Sequence, residues 1–515
     1  MFFPCAAKGG SANAGAARRL VGRKNNTSRA FRHAAPRRRV FSQFRQTSTM
    51  ASSNNPAVAQ HDTLRRGLKS RHIQLIALGG AIGTGLFLGV AQTIKLAGPS
   101  VLLGYAIAGV MAFFIMRQLG EMVVDEPVAG SFSHFADKYW GHAAGFVSGW
   151  NYWAVYILVS MAELSAVGIY MQYWWPALPA WVSALACFAI VNAINLTSVK
   201  SFGELEFWFA IVKVAAIVGM ILFGGYLLAS GHAGPQASVT NLWRLGGFFP
   251  YGASGLVMSM AVIMFSFGGL ELVGITAAEA ENPSRSIPRA TNQVIYRILI
   301  FYIGALGVLL SLYPWDKVAT GGSPFVLIFR EMNSTVIANV LNVIVLTAAL
   351  SVYNSGVYAN SRMLYGLAQQ GNAPRALRGV SARGIPLAAL FVSAIVTAAC
   401  VLINYFIPGR AFELLMGLAV SALVINWAMI SIIHLKFRQH KRERGEATSF
   451  RSLGYPFTNY LCLAFVAGIV WVMYETPGLR LSVYLIPIWL AVLGIGYYLK
   501  TRADAAGNRR GAPSR

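Results

Sequence analysis

The sequence predicts an all-α polytopic membrane protein with twelve transmembrane helices. Three observations lead there. The 515 residues are 56% hydrophobic and only 12% charged, about half the roughly 25% charged content of a soluble domain. Mean hydropathy is +0.54, which would leave a soluble fold exposing far too much apolar surface and which excludes intrinsic disorder. Twelve apolar runs follow one another along the chain, each near the roughly 20 residues a bilayer-crossing helix needs. Lys and Arg gather in alternate loops between the runs, as the positive-inside rule requires.

Residues 1–49 form a basic N-terminal extension with 11 Lys/Arg and no acid. It lacks the apolar core of a secretory signal, while its Arg-rich, acid-free composition is that of an organellar transit peptide. Met50 then opens a polar stretch, Ala51 to Asp62, that suits a natural amino terminus. The expectation is that 1–49 derives from an upstream start and stands outside the working protein. Without it, the net charge falls from +25 to +14, as 32 basic against 18 acidic residues. Most of those basic residues sit in short loops, so the charge marks membrane topology and no nucleic-acid partner is expected. Cys5, Cys187, Cys400 and Cys462 are far apart and form no C-x-x-C pair. They read as packing thiols, with no disulfide framework and no metal site.

Residues 50–71 are expected to be a cytoplasmic N-terminus. The twelve runs lie near 72–95, 99–120, 141–172, 179–199, 205–230, 254–277, 292–313, 334–362, 385–407, 411–436, 456–474 and 481–499. With both termini cytoplasmic, inside segments hold 24 Lys/Arg against six outside, namely Lys95, Arg244, Lys317, Arg330, Arg410 and Arg480. Residues 500–515 then form a cytoplasmic tail. Lys213 and Arg297 fall within or at the ends of spans.

Span 1 reads Gly79-Gly80-Ala81-Ile82-Gly83-Thr84-Gly85-Leu86-Phe87. Each glycine costs about 1 kcal/mol of helix against alanine, and bare backbone in a bilayer is tolerated only inside protein or beside a cavity. Close helix packing would use the same residues. Span 6 carries a second break, Phe265-Ser266-Phe267-Gly268-Gly269-Leu270-Glu271. Paired interruptions that open two halves, 72–230 and 254–436, point to a five-plus-five inverted repeat with the binding site at the breaks. Spans 11 and 12, within 456–499, are then additional. Freed N–H groups at a half-helix start hold a carboxylate, and freed carbonyls accept from an ammonium group. An amino acid is the simplest ligand needing both. The expected substrate contacts are Ile82, Gly83, Thr84 and Gly85 from the first break and Phe265, Ser266, Phe267 and Gly268 from the second.

The motif Gly79–Phe87, the run Phe265–Glu271, and the segments Gly149–Trp153 and Ser361–Tyr365 resemble the amino acid–polyamine–organocation superfamily, and within it the bacterial aromatic amino acid permeases. The likeness runs from about Leu64 to Lys500 and includes Gly130–His134 and Gln370–Pro374; it does not cover 1–49. It implies the five-plus-five fold with two added spans, and proton-coupled uptake of amino acids at the bacterial inner membrane, with the proton gradient as energy source and no bound cofactor.

Span 3 places Tyr152, Tyr156, Ser160 and Glu163 on one helical face. An ionised acid at mid-span costs about 2.5–3.5 kcal/mol on insertion scales, so Glu163 is expected to face the bundle interior, as a transport residue or as a structural partner of another helix. Tyr156 is expected to line the cavity; the resemblance ties Tyr here to general aromatic specificity and Phe to phenylalanine preference. An apolar setting weakens the hold of Lys213 on a proton, and in the resembled family a lysine here stands where sodium-coupled relatives bind a cation. Lys213 is therefore expected to couple protons, with snorkelling to the nearer membrane face as the alternative. Glu271 is assigned to a cation, a proton relay, or the unwound backbone, the last being favoured. Ser351, Asn354, Ser355, Tyr358 and Arg362 form a pathway stripe on span 8, with Arg362 as a cytoplasmic anchor. One of Phe265 and Phe267 is expected to stack on or cover the substrate ring.

A membrane enzyme would need convergent catalytic or metal-binding groups. The acidic clusters Glu121/Asp125/Glu126, Glu204/Glu206 and Glu279/Glu281 are not expected to have convergent His ligands and read as loop or helix-end charges. A non-transporting sensor would carry a soluble signalling domain, and a channel does not need paired broken helices. An exchanger remains the alternative within transport. One proton moving down 100 mV supplies about 2.3 kcal/mol, or about 50-fold accumulation, which exchange would lack.

Overall fold

Residues 82–510, except 129, 198, 277–281, 319–321 and 333, are described by a computed structural model. The extension 1–49, the segment 50–71, the start of span 1 with Gly79 and Gly80, the pair Glu279/Glu281 and the tail end 511–515 lie outside the described residues.

Long apolar runs in a bilayer must satisfy their own backbone hydrogen bonds, and only helices do so within one segment. The described residues accordingly hold α-helices, short 3₁₀ and π segments, and no strand. In chain order the helices are α1 (Val90–Ala97), α2 (Val101–Asp125), α3 (Ser131–Trp140), α4 (His142–Gln172), α5 (Ala180–Asn195), α6 (Val199–Ser230), α7 (Asn241–Arg244), α8 (Gly252–Phe265), α9 (Leu272–Thr276), α10 (Pro283–Arg297), α11 (Ala305–Leu312), α12 (Pro324–Glu331), α13 (Thr335–Gln369), α14 (Leu387–Phe406), α15 (Ala411–Glu443), α16 (Phe457–Glu475) and α17 (Pro477–Arg510).

Nine helical stretches among the described residues are long and apolar enough to cross a membrane, so the chain is a multi-pass membrane protein. The expected twelve runs map onto them unevenly. Runs 1 and 2 fall in one stretch, Gly85–Asp125, broken where Gly98 takes φ +59° and begins a 3₁₀ turn. Run 4 becomes the 16-residue α5, and run 6 stops after 14 residues at Phe265. Run 7 extends back to Pro283, passing through a π segment at Ile298–Gly304.

Burial sorts the helices. In their most apolar windows α4 and α15 are 78% buried, whereas the stretch containing α6 is 28% and that containing α17 is 17% buried. The two former helices therefore form the centre, and the two latter turn most of their surface outward.

The segment after α15 is tied back to the core by a carboxylate. Glu121 on α2 has no exposed side-chain surface and accepts from His434 Nε2 (2.9 Å), Arg438 Nη1 (2.8 Å), Thr448 Oγ1 (2.5 Å) and the Ser452 N–H (2.7 Å). Asn459 Nδ2 donates to His434 Nδ1 at 3.0 Å, so the ring carries its proton on Nε2. Glu121 is thus a buried hub rather than a helix-end charge. Its donors come from positions more than 300 residues away, so no local sequence window could show them.

Candidate functional site at the interrupted helices

The first break leaves Ile82 and Gly83 outside regular helix and continues through Thr84 into a π segment, Gly85–Gly89, before α1. The second occupies residues 266–271 between α8 and α9. There Gly269 takes φ +98°, a left-handed conformation that glycine adopts without Cβ strain. The two breaks meet. A Cβ added at Gly85 would lie 2.6 Å from the Ser266 Cα and 2.8 Å from its Oγ. Only bare backbone fits at that approach.

Ser266 is held from the side. Its hydroxyl shares a 3.0 Å hydrogen bond with the Tyr105 hydroxyl, and its carbonyl accepts from Tyr302 Oη at 2.7 Å. Tyr105 and Tyr302 stack at 5.2 Å, and Phe267 stacks on Tyr302 at 5.1 Å. Phe267 is fully buried in this aromatic packing, while Phe265 meets Phe412 edge-on at 6.1 Å. Gly268 completes the turn, its N–H donating to the Phe265 carbonyl at 3.3 Å.

Glu163 reaches the first break from α4. One carboxylate oxygen accepts from the Thr84 hydroxyl at 2.9 Å and the Thr84 N–H at 3.3 Å. The other, Oε2, is buried without a hydrogen-bond partner. Gly83 permits this: a Cβ there would sit 2.8 Å from Glu163 Oε1 and 2.8 Å from Val352. One turn earlier, Ser160 lies against Gly356 of α13, 2.3 Å from where a Cβ would stand, and Tyr156 Cδ1 lies 3.7 Å from that point. Tyr152 sits between Phe132 (4.2 Å) and Tyr156 (5.2 Å). Ser355 is buried on the same stretch of α13.

Lys213 is fully buried and does not snorkel. Its Nζ donates to Ser351 Oγ at 2.8 Å, and Ser351 donates to Glu206 Oε1 at 2.5 Å. Lys213 Nζ and Glu206 Oε1 are 3.9 Å apart. Asn354 Nδ2 approaches Glu206 Oε2 at 3.5 Å and its Oδ1 accepts from Asn195 of α5 at 2.7 Å. Glu206 is therefore an interior ion-pair partner, not the helix-end charge its neighbour Glu204 suggested. Its sequence signal is spacing: seven residues, two turns, put Glu206 and Lys213 on one face of α6. Adjacent residues of α13 join the two sites, since Ser351 faces Lys213 and Val352 faces Gly83.

Glu271 turns back on its own break, accepting from the Gly269 N–H at 3.1 Å and from Trp427 Nε1 of α15. Arg362 is 4% exposed, with its guanidinium 4.0 Å above the Tyr358 ring, which stacks on Phe202 at 4.1 Å. It is buried, because the aromatic faces supply a site for the cation inside the bundle. A cavity of about 390 Å³ lies elsewhere, between α4, α14, α15 and α17, with an almost wholly apolar lining that includes Trp153 and Trp489. It offers nothing for a carboxylate or an ammonium group.

A family model described as amino acid permease matches residues 72–509. The aromatic amino acid transport protein AroP of Escherichia coli (strain K12) is 68% identical over 448 residues, covering 87% of this chain and 98% of that protein. AroP of Salmonella typhimurium (strain LT2) is 67% identical over 444 residues, 86% and 97% respectively. The uncharacterized amino acid permease YtnA of Bacillus subtilis (strain 168) is 44% identical over 455 residues, 87% and 98%. With two facing helix breaks, a carboxylate on one of them and a family match across nearly the whole described chain, the protein belongs to the amino acid permease family.

Proposed function

We propose that this permease imports the aromatic amino acids phenylalanine, tyrosine and tryptophan by proton symport across the bacterial inner membrane. The observation that carries the reading is the meeting of the two breaks, Gly85 against Ser266, with Glu163 on Thr84. Backbone amides at the start of the Gly85–Ala97 helical stretch suit the substrate carboxylate, and carbonyls at the end of α8 suit its ammonium group. The names of the E. coli and Salmonella relatives support an aromatic side chain. Tyr156, beside Gly356 of α13, and Phe265, the last residue before the second break, take the specificity role.

Lys213 and Glu163 are the proton-coupling pair in this reading. Both are buried, and neighbouring residues of α13, Ser351 and Val352, face Lys213 and the Gly83 position beside Glu163 respectively. Twelve crossings follow if Gly98 divides the first stretch and the shorter α5 and α8, the latter completed by its break and α9, also span. Spans 1–5 and 6–10 then form the inverted repeat, with both termini cytoplasmic.

The test is uptake of labelled phenylalanine in cells lacking their own aromatic permeases, with each unlabelled amino acid as competitor and with or without a protonophore. Competition by Phe, Tyr and Trp, abolished with the gradient, is the expected result. Weak competition by Trp alone among the three would reassign the protein as a phenylalanine permease. Uptake that survives the protonophore and requires internal amino acid would make it an exchanger.

A further inference from the structure

We propose that Glu206 is the fixed counter-ion of Lys213, and that the two, joined through the Ser351 hydroxyl, respond to protons as one unit. This rests on the reading of Lys213 as the coupling group. The geometry is that of a closed chain: Lys213 Nζ donates to Ser351 Oγ at 2.8 Å, and the Ser351 hydroxyl donates to Glu206 Oε1 at 2.5 Å. All three side chains are fully buried. The pair arises within one helix, because a helical side chain leans toward the N-terminus. The long lysine side chain therefore reaches back along α6 toward the carboxylate two turns earlier, closing to 3.9 Å.

Burial makes the pairing obligatory. Two opposite charges close together in the interior offset part of their desolvation, but either alone is an uncompensated charge. A proton lost from Lys213 leaves Glu206 as an unbalanced anion, and a proton gained by Glu206 leaves Lys213 as an unbalanced cation. The pair therefore meets every change of proton occupancy with a change of net charge, and its Ser351 link precedes Val352, the residue of α13 that faces Gly83 at the first break. Asn354 of α13 approaches the second carboxylate oxygen and is itself held by Asn195 of α5. Other titratable or charged side chains on the packed elements are Glu163 and Tyr156 of α4, Tyr353, Tyr358, Arg362 and Tyr365 of α13, Cys187 of α5, and Tyr302 of the π segment. Glu163 is the acid among them, and its hydrogen bonds go to Thr84. Glu206 is thus a positioning residue for Lys213 and not a substrate contact.

The experiment is phenylalanine uptake against external pH, normalised to protein in the membrane, for the full chain and for Glu206→Gln, Glu206→Asp, Lys213→Met and the double Glu206→Gln/Lys213→Met. Loss of the counter-ion makes Lys213 release its proton more readily, so the fall of uptake with rising pH should move acidward. An opposite charge at this range shifts titration by about 1–3 pH units, which sets the expected displacement for Glu206→Gln. Glu206→Asp should fall between it and the native chain. An unchanged pH profile in Glu206→Gln overturns the proposal. Where Glu206→Gln is not inserted, the double variant decides. Recovery of membrane protein on removing both charges supports the pair, and an equally absent double variant overturns it. Normal uphill uptake by Lys213→Met would sink the coupling reading instead, and leaves its own distinct signature.

Discussion

Gly85 and Ser266, from two helices interrupted 180 residues apart in the chain, touch backbone to backbone. A methyl group at 85 would fall 2.6 Å from the Ser266 Cα. Overpacking of this kind costs about 1–3 kcal/mol, and here the obstacle is main chain, which cannot rotate away. Gly85→Ala is expected to insert in the membrane yet lose about 5- to 150-fold in uptake, since 1.4 kcal/mol is a factor of ten. Gly89→Ala, where the new Cβ meets neighbours only at 3.7–4.0 Å, should transport nearly as the native protein does. Equal uptake by the two variants would remove the close approach from the mechanism.

Glu163→Gln keeps an oxygen for both Thr84 donors but removes the carboxyl's titratable proton. Substrate counterflow, which needs no proton gradient, should persist while the steady-state accumulation ratio falls towards one. Undiminished accumulation in this variant would show that the Glu163 proton is not used.

Lys213→Ala should abolish uphill uptake and leave phenylalanine binding measurable by equilibrium dialysis of the purified protein. Accumulation at the native level would contradict the coupling role. Loss of binding as well would move Lys213 into the substrate site.

Glu121→Ala leaves four donors without their acceptor, among them Arg438, which is 21% exposed. Removing one partner of a buried charged network costs about 3–5 kcal/mol. A clear fall in Tm in detergent is expected, with Glu121→Gln between the two. A Tm indistinguishable from the native value would mean that the loop is held by other contacts.

Outside the spans, Glu126 gives a pH dependence. Partial burial would raise its carboxyl, but Lys138 (2.5 Å) and His134 (2.9 Å) outweigh that and hold it below the ordinary carboxylate value. A carboxyl depressed in the folded state adds stability that is present above the unfolded-state value and lost as pH falls through the folded one. Both groups are about a third exposed or more, so the effect is small. The Tm of the native protein should drop somewhat more steeply below about pH 4 than that of Glu126→Gln. Parallel acid limbs in the two proteins would dissociate Glu126 from acid stability.

The helical class and the membrane setting were legible because both follow from local properties: apolar run length and loop charge. The two breaks were legible for the same reason, since glycines announce themselves at Gly83, Gly85, Gly268 and Gly269. Glu206 and Glu121 were not. Each sits near the end of an apolar run, where a solvated charge and a buried one look alike in the sequence. What distinguishes them is the arrival of Ser351, Asn354, His434 and Arg438 from distant helices. The burial of Arg362 was hidden for a related reason: its aromatic shelf on Tyr358 is itself built by Phe202 of another helix.

By itself, then, the sequence determined a multi-pass helical permease with two weak points in its helices, because hydrophobicity and glycine content act within a single turn or a single span. Only the tertiary structure decided which backbone meets which at those weak points, and which buried charges answer one another. Helix packing sets those distances, and in a water-free interior a charge endures only where packing brings it a partner.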